Sequence, residues 1–256
     1  MNTTTEKIAL VTGGSRGLGR DMALRLAQNG NDVIITYNAK EDEARAVVAE
    51  IQKLGRKAAF IQLNAGKIAT FDAFVQKLKD VLQKEFGATG FDYLVNNGGH
   101  GILVPSFTQT TEEQFDELVN VHFKGVFFLT QKLHTLINDY GSVVNISSGL
   151  TRISVPGSGA YASVKSAIET LTKYFAKELG SRFIRANVVA PGPIATDFNG
   201  AHFRETQKTQ DFIKSINALP RIGQADDLGG VVAFLCSPDA KWVTGQRIEA
   251  SGGMML

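Results

Sequence analysis

The chain has one cysteine among its 256 residues, Cys236. A disulfide within the chain and a cysteine-based zinc cluster are therefore both excluded. The context of Cys236, Val-Val-Ala-Phe-Leu-Cys, is apolar and helical, which suits a buried thiol rather than a nucleophile. Long apolar runs are also missing, and none approaches the roughly 20 residues that span a bilayer. The amino-terminal Met-Asn-Thr-Thr-Thr-Glu-Lys lacks the hydrophobic segment of a secretory signal. A cytoplasmic location and no membrane partner are the default expectations. Charge of one sign is missing too: 27 Lys and Arg stand against 25 Asp and Glu, for a net charge of +2. The signs are interspersed, so no basic patch offers itself to nucleic acid or an anionic surface. There is no repeat, low-complexity stretch or linker.

What is present is alternation. Short apolar runs (8–11, 32–36, 58–63, 93–95, 142–146, 185–189, 246–249) are separated by amphipathic stretches. Helices are expected over 18–29, 41–54, 71–86, 111–136, 160–182 and 226–236. Thr111-x-x-Gln114 has the form of a capping box at the start of the longest. Strands apolar on both faces that alternate with helices predict an α/β fold. It is a Rossmann-type, doubly wound parallel sheet with helices on both faces. One domain over 1–256 accounts for the chain, with residues 198–220 a polar insertion and the candidate substrate lid.

In such sheets ligands bind beyond the carboxyl ends of the strands, where strand order reverses. The residues at those ends are small or polar. They are Thr12-Gly13-Gly14-Ser15-Arg16-Gly17-Leu18-Gly19, then Asn64, then Asn96-Asn97-Gly98-Gly99, then Ser147-Ser148, then Pro191-Gly192-Pro193-Ile194-Ala195-Thr196. The first follows a strand and opens a helix, the context of a pyrophosphate-binding turn. Gly13 allows a tight turn, Gly17 lets backbone approach the phosphates, and Gly19 allows close helix packing. An acid at the end of the second strand would bind the ribose hydroxyls of NAD. Here that strand ends Thr36-Tyr37-Asn38-Ala39-Lys40, without one. Arg16 and Lys40 would instead meet a 2′-phosphate, so NADP(H) is expected over NAD(H).

Tyr161 and Lys165 lie four residues apart on a predicted helix, so phenol and ammonium share a face. A nearby ammonium favours the phenolate and would pull the Tyr161 pKa down. Alone the pair is weak; with Ser148 upstream and the glycine turn it is not.

Taken together, these residues resemble a classical short-chain dehydrogenase/reductase, from Lys7 to the carboxyl end. The carriers are Thr12 to Gly19, Asn96 to Gly99, Ser148, Tyr161-x-x-x-Lys165, Pro191-Gly192 with Thr196, and Val243-Thr244-Gly245-Gln246 ahead of Gly252-Gly253. Within that family the chain looks most like the 3-oxoacyl-carrier-protein reductase-like group, a label covering many substrates. The resemblance implies hydride transfer from a nicotinamide to a small-molecule carbonyl. Tyr161 would be the proton donor, Lys165 would tune it and hold the nicotinamide ribose, and Ser148 would bind the carbonyl oxygen. Ser147 is the structural rival of Ser148. Asn97 would support the adenosine ribose and the central strand, and Ile194 and Thr196 would contact the carboxamide. A homotetramer is implied, and the apolar girth of the 111–136 and 160–182 helices fits packing between subunits.

The chain departs from the family at several points. His122 stands where the family has an Asn that holds a water linked to the Lys; His122 or a shifted Asn120 would take that role. Asn64 replaces an adenine-contacting Asp, Gly98 a common Ala, and Ser251 a common acid. The expected pocket walls are Gly99, His100, Leu150, Arg152, Val155, Phe198 and the 201–213 segment with His202 and Phe203. Arg152 and Arg204 are candidates for an acidic substrate group. An NAD-dependent alcohol dehydrogenase of the same fold, or a non-catalytic nucleotide-binding regulator, are the alternatives. The four-residue Tyr–Lys spacing argues against an enoyl reductase. No metal is expected.

Overall fold

The computed structural model describes residues 6–102, 104–196, 198 and 207–256. Seven parallel strands form one sheet: β1 (Ile8–Val11), β2 (Asp32–Tyr37), β3 (Ala58–Gln62), β4 (Phe91–Asn96), β5 (Ile137–Ile146), β6 (Arg185–Pro191) and β7 (Arg247–Ala250). Their order is β3-β2-β1-β4-β5-β6-β7. The chain steps outward from β1 to β3, then resumes on the other side of β1 with β4. That reversal places the switch point between β1 and β4, paired Val11 to Val95.

Alternate residues of each strand face opposite layers. Ala9, Val11, Val33, Ile35, Val95 and Val189 meet α1 (Gly17–Gln28), α2 (Glu41–Lys53) and α8 (Asp226–Cys236). Ile8, Leu10, Ile34, Leu94 and Val143 meet α3 (Phe71–Val81), α5 (Gly125–Leu133) and α6 (Gly159–Leu179). Both layers are dry, which is why the strands read as unbroken apolar runs. Cys236 lies in the first layer, its thiol pushed up to about 12 by burial.

The predicted 111–136 helix is interrupted. It begins as α4 (Glu112–Val119) under the capping box, with Gln114 N–H donating to Thr111 Oγ1 at 3.3 Å. A single π-turn follows over Asn120–Lys124, then α5. The Gly125 N–H reaches back to the Asn120 carbonyl, and a Cβ on Gly125 would lie 2.2 Å from the Ala65 carbonyl. The close approach to the loop after β3 needs the glycine, and the wide turn rotates His122 inward. β5 also starts earlier than the apolar run, at Ile137, because its register with β4 shifts between Phe91 and Tyr93. The insertion contains α7 (Gln207–Ile216). Its residues 199–206, with His202, Phe203 and Arg204, lie outside the described residues.

Among the described residues, no helix is long and apolar enough to cross a membrane. Several large apolar side chains stand in solvent, among them Phe107, Tyr174 and Trp242, the last 96% exposed.

Candidate active site

The glycine turn is built from β1 outward. Gly13 adopts φ +63° and Gly17 φ +53°, both in the region that favours glycine. A Cβ on Gly19 would sit 2.2 Å from the Gly13 carbonyl and 2.5 Å from Asn97 Nδ2, so only glycine lets α1 enter this close. By contrast a Cβ on Gly17 would meet nothing nearer than Thr196, at 3.9 Å. The turn therefore opens a cradle between its own backbone and the loop after β6. Arg16 is the N-cap of α1 and its side chain caps nothing, so the helix start is left to an outside acceptor. Ser15, Gly17 and Leu18 are partly exposed there. These features fit a pyrophosphate.

Asn97 serves the turn. Its Nδ2 donates to the carbonyls of Thr12, at 2.9 Å, and Gly13, at 3.2 Å. The amide group thus braces the turn against the end of β4. The sequence placed Thr12 and Thr36 at strand ends but did not show their bracing role. Thr12 Oγ1 accepts from Asn97 and Gly98 N–H, and Thr36 Oγ1 from Gly13 N–H. Gly98 tolerates more: a Cβ would make an ordinary 3.4 Å contact with Thr12 Oγ1.

Beyond β2, Arg16, Asn38 and Lys40 are exposed. Lys40 Nζ lies 3.0 Å from Glu43, an exposed pair that screens easily. Among the described residues Arg16 makes no ion pair, which leaves its charge available. Tyr37 and Asn38, expected at the cofactor by their place at the end of β2, differ in exposure. Tyr37 is buried, and its hydroxyl donates to Glu41 Oε2 at 2.9 Å, so the phenol is occupied within the fold. Asn64 Oδ1 accepts from Gly66 N–H at 3.0 Å, shaping the loop at the adenine end. Pro191 ends β6, and Gly192 passes so close to Ser251 that a Cβ would lie 2.7 Å from its Cα. Ile194 bridges to Gly223, and Thr196 faces Gly17 across the cradle.

Ser148, Lys165, Tyr161 and His122 lie beyond the ends of β4 and β5. Ser148 follows β5 in extended backbone, and its Oγ accepts from Leu150 N–H at 3.2 Å. Its own hydroxyl proton is thereby left to point elsewhere. Lys165 is buried and donates to the Ile146 carbonyl at 2.8 Å, with its Nζ 5.7 Å from the Tyr161 ring centre. His122 stands 5.3 Å from the same ring, edge-on. Of the two candidates in that helix, His122 is the one turned to Tyr161; the Asn120 carbonyl closes the π-turn. Ser147 Oγ turns away to Glu169, at 2.7 Å, as its structural reading required.

The electrostatics correct one expectation. Burial pushes the Tyr161 phenol up, not down. Lys165 does not offset this, because burial lowers its own ammonium to about 7. Desolvation penalises both charged forms. His122 is held well below the usual imidazole range, by burial first and by Lys165 second. It is a neutral ring. Its Nε2 lies 2.6 Å from the His100 carbonyl and so carries the proton that is donated there. Its Nδ1 is buried with no partner among the described residues.

Around this centre, Phe198 lies 6.1 Å from Tyr161, ring to ring, while Leu150 is partly exposed and Val155 exposed. His100 Nε2 lies 3.0 Å from Glu117. Arg152 is not free for an acidic substrate group. Its guanidinium holds Glu249 with two bonds and the carbonyls of Met254 and Met255. No group of metal-ligating side chains occurs among the described residues.

A parallel sheet with a glycine cradle at its switch point, and serine, tyrosine and lysine at the neighbouring strand ends, defines a nucleotide-dependent oxidoreductase fold. Residues 13–255 match the family model adh_short_C2, described as enoyl-(acyl carrier protein) reductase. The chain belongs to the short-chain dehydrogenase/reductase family. It is 38% identical to the 3-oxoacyl-(acyl-carrier-protein) reductase FabG of Staphylococcus aureus strain Mu50, covering 98% of each chain. Two solved structures are also similar. The reductase LugOII, which catalyses keto-reduction at C1 in lugdunomycin biosynthesis, has TM-score 0.92 and 36% identity, over 98% of this chain and 99% of that one. The angucycline C-6 ketoreductase LanV, with bound NADP, has TM-score 0.91 and 35% identity, over 97% and 95%.

Proposed function

We propose that this protein is an NADP(H)-dependent reductase that converts a small-molecule ketone or aldehyde to an alcohol. The observation that carries the reading is the Tyr161–Lys165–Ser148 arrangement beside an open phosphate cradle. NADPH, when bound, supplies the hydride. Ser148 holds the carbonyl oxygen with its free hydroxyl proton and stabilises the negative charge that develops there. Tyr161, kept protonated by burial, gives its proton to the same oxygen. Lys165 lies close enough to neutrality to return a proton toward Tyr161. His122 Nδ1 accepts a hydrogen bond from a water in that relay. Arg16, with Lys40, takes the 2′-phosphate. The relatives support the same chemistry, since LanV carries NADP and both LanV and LugOII are ketone reductases.

The one domain works as a homotetramer in the cytoplasm, and residues 198–220 form its substrate lid. Phe198 beside Tyr161 supports the lid, and the exposed Phe107, Phe115, Tyr174, Phe234 and Trp242 support assembly. Light scattering that gives a monomer at micromolar concentration refutes the tetramer.

The deciding experiment titrates NADPH and NADH against nucleotide fluorescence, for the wild type and Tyr161→Phe. NADPH binds more tightly to both, and the variant loses at least about 100-fold in ketone reduction. Tighter NADH binding refutes the cofactor assignment, and retained reduction refutes the mechanism.

A further inference from the structure

Helix α6 carries Tyr161, Lys165 and Glu169 at intervals of four, so a phenol, an ammonium and a carboxylate line one stripe. The first two face the reacting centre. Glu169 reaches instead to the turn that carries Ser148. One of its oxygens, Oε1, accepts three hydrogen bonds: from Ser147 Oγ at 2.7 Å, Thr151 Oγ1 at 2.8 Å and Arg247 Nε at 2.8 Å. Ser147 and Thr151 bracket Ser148. The same carboxylate therefore grips the seryl turn at both ends. Arg247 adds a second hold from β7, its Nη2 donating to Thr151 Oγ1 at 3.0 Å. Arg247 is in turn fixed by Glu249, at 2.9 Å, and Glu249 by Arg152 and by Ser251. Glu249 is held down to about 2, by Arg152 first, so the chain of charges persists across the working range of pH.

The turn held in this way is the one that orients the reacting hydroxyl. Leu150 N–H occupies a lone pair of Ser148 Oγ, and Thr151 N–H bonds the Ser148 carbonyl at 3.2 Å. Loss of either hold would let the Ser148 hydroxyl rotate between acceptor sites. Ser147 and Glu169 are largely buried, and charge-assisted bonds of this kind are the stronger and geometrically stricter class.

We propose that Glu169, fixed by Arg247, is a positioning residue for Ser148. The proposal rests on the reading that Ser148 binds the substrate oxygen. It assigns reaction-related work to the charged chain Glu169–Arg247–Glu249–Arg152 and to Ser147.

The test combines hydrogen exchange with a double-mutant cycle. In Glu169→Gln, the amides of Leu150 and Thr151 exchange about tenfold faster while those of β1 and β4 do not, the mark of a local opening. With NADPH and acetoacetyl-CoA or 1-tetralone as probes, kcat falls about tenfold and KM for NADPH is unchanged. In the Ser148→Ala background the same substitution changes kcat less than about twofold, because its effect runs through the missing hydroxyl. Should Glu169→Gln fold poorly, Thr151→Val and Ser147→Ala remove two donors singly and give the same pattern at smaller size. Unchanged exchange in the turn overturns the proposal, as do effects of Glu169→Gln and Ser148→Ala that multiply. A wild type that reduces neither probe counts against the carbonyl reading instead, and the exchange measurement still decides the positioning role.

Discussion

The imidazole of His122 stands edge-on to the phenol of Tyr161, ring centres 5.3 Å apart and planes 89° apart. Its Nε2–H is committed to the His100 carbonyl and its Nδ1 is bare. A Cβ on Gly99 would lie 2.3 Å from His122 Cε1, so the ring occupies space that a glycine leaves. His122→Ala should lower kcat about tenfold while the Kd for NADPH moves less than about twofold, the signature of a group used after binding. Steady-state kinetics beside a nucleotide titration decide it, and unchanged turnover would assign His122 to packing alone.

Arg16 and Lys40 should contribute unequally to cofactor choice, because Lys40 already faces Glu43 at 3.0 Å. Arg16→Ala is expected to raise the Kd for NADPH about tenfold, an amount that one charge-assisted contact supplies. Lys40→Ala should do less. The Kd for NADH should hardly change in either. Equal loss for both nucleotides would mean that Arg16 shapes the turn rather than meeting a phosphate.

Gly19→Ala should damage both stability and binding. The new methyl would press on the Gly13 carbonyl at 2.2 Å, and overpacking of that kind costs about 1–3 kcal/mol. Gly98→Ala is the control, because its methyl would meet Thr12 Oγ1 at an ordinary 3.4 Å. Urea unfolding with NADPH titration should separate the two. A harmless Gly19→Ala would show that α1 can retreat from the turn.

Lys165 makes stability depend on pH in a stated direction. Its folded pKa, about 7, lies below the ordinary 10.5. Between these values the unfolded chain holds a proton that the folded chain has released, so stability rises with pH across the window. The contribution is complete above the ordinary value and is lost as pH falls through about 7. Without nucleotide, the Tm of the wild type should therefore gain on that of Lys165→Met as pH is raised from 7 toward 10. A difference in Tm that is flat with pH would show the ammonium to be solvated.

The sheet was legible because strands buried on both faces leave unbroken apolar runs, and the strand ends stood out by their small polar residues. The glycine turn, Ser148 and Tyr161–Lys165 could be read as spacings. What could not be read depends on distance through space. No local pattern shows that Asn97 braces Thr12 and Gly13, or that Tyr37 turns its hydroxyl to Glu41. The π-turn is invisible to a helical period, because one inserted residue shifts the phase without breaking propensity. The direction of the Tyr161 shift failed for a related reason: the sequence shows which charge is near but not how dry both groups are. Glu169 did carry a signal, as the third member of a four-residue interval that begins at Tyr161.

Trp242 is the only indole in the chain, and it stands almost wholly in water. The intrinsic emission of the isolated subunit is therefore already that of a hydrated fluorophore, and unfolding the core would shift its colour little. What would move it to the blue is another surface settling over that side chain. Tryptophan fluorescence in this molecule is thus suited to detect a covering surface rather than unfolding, and a dilution series read at that one wavelength band tests for assembly without any label.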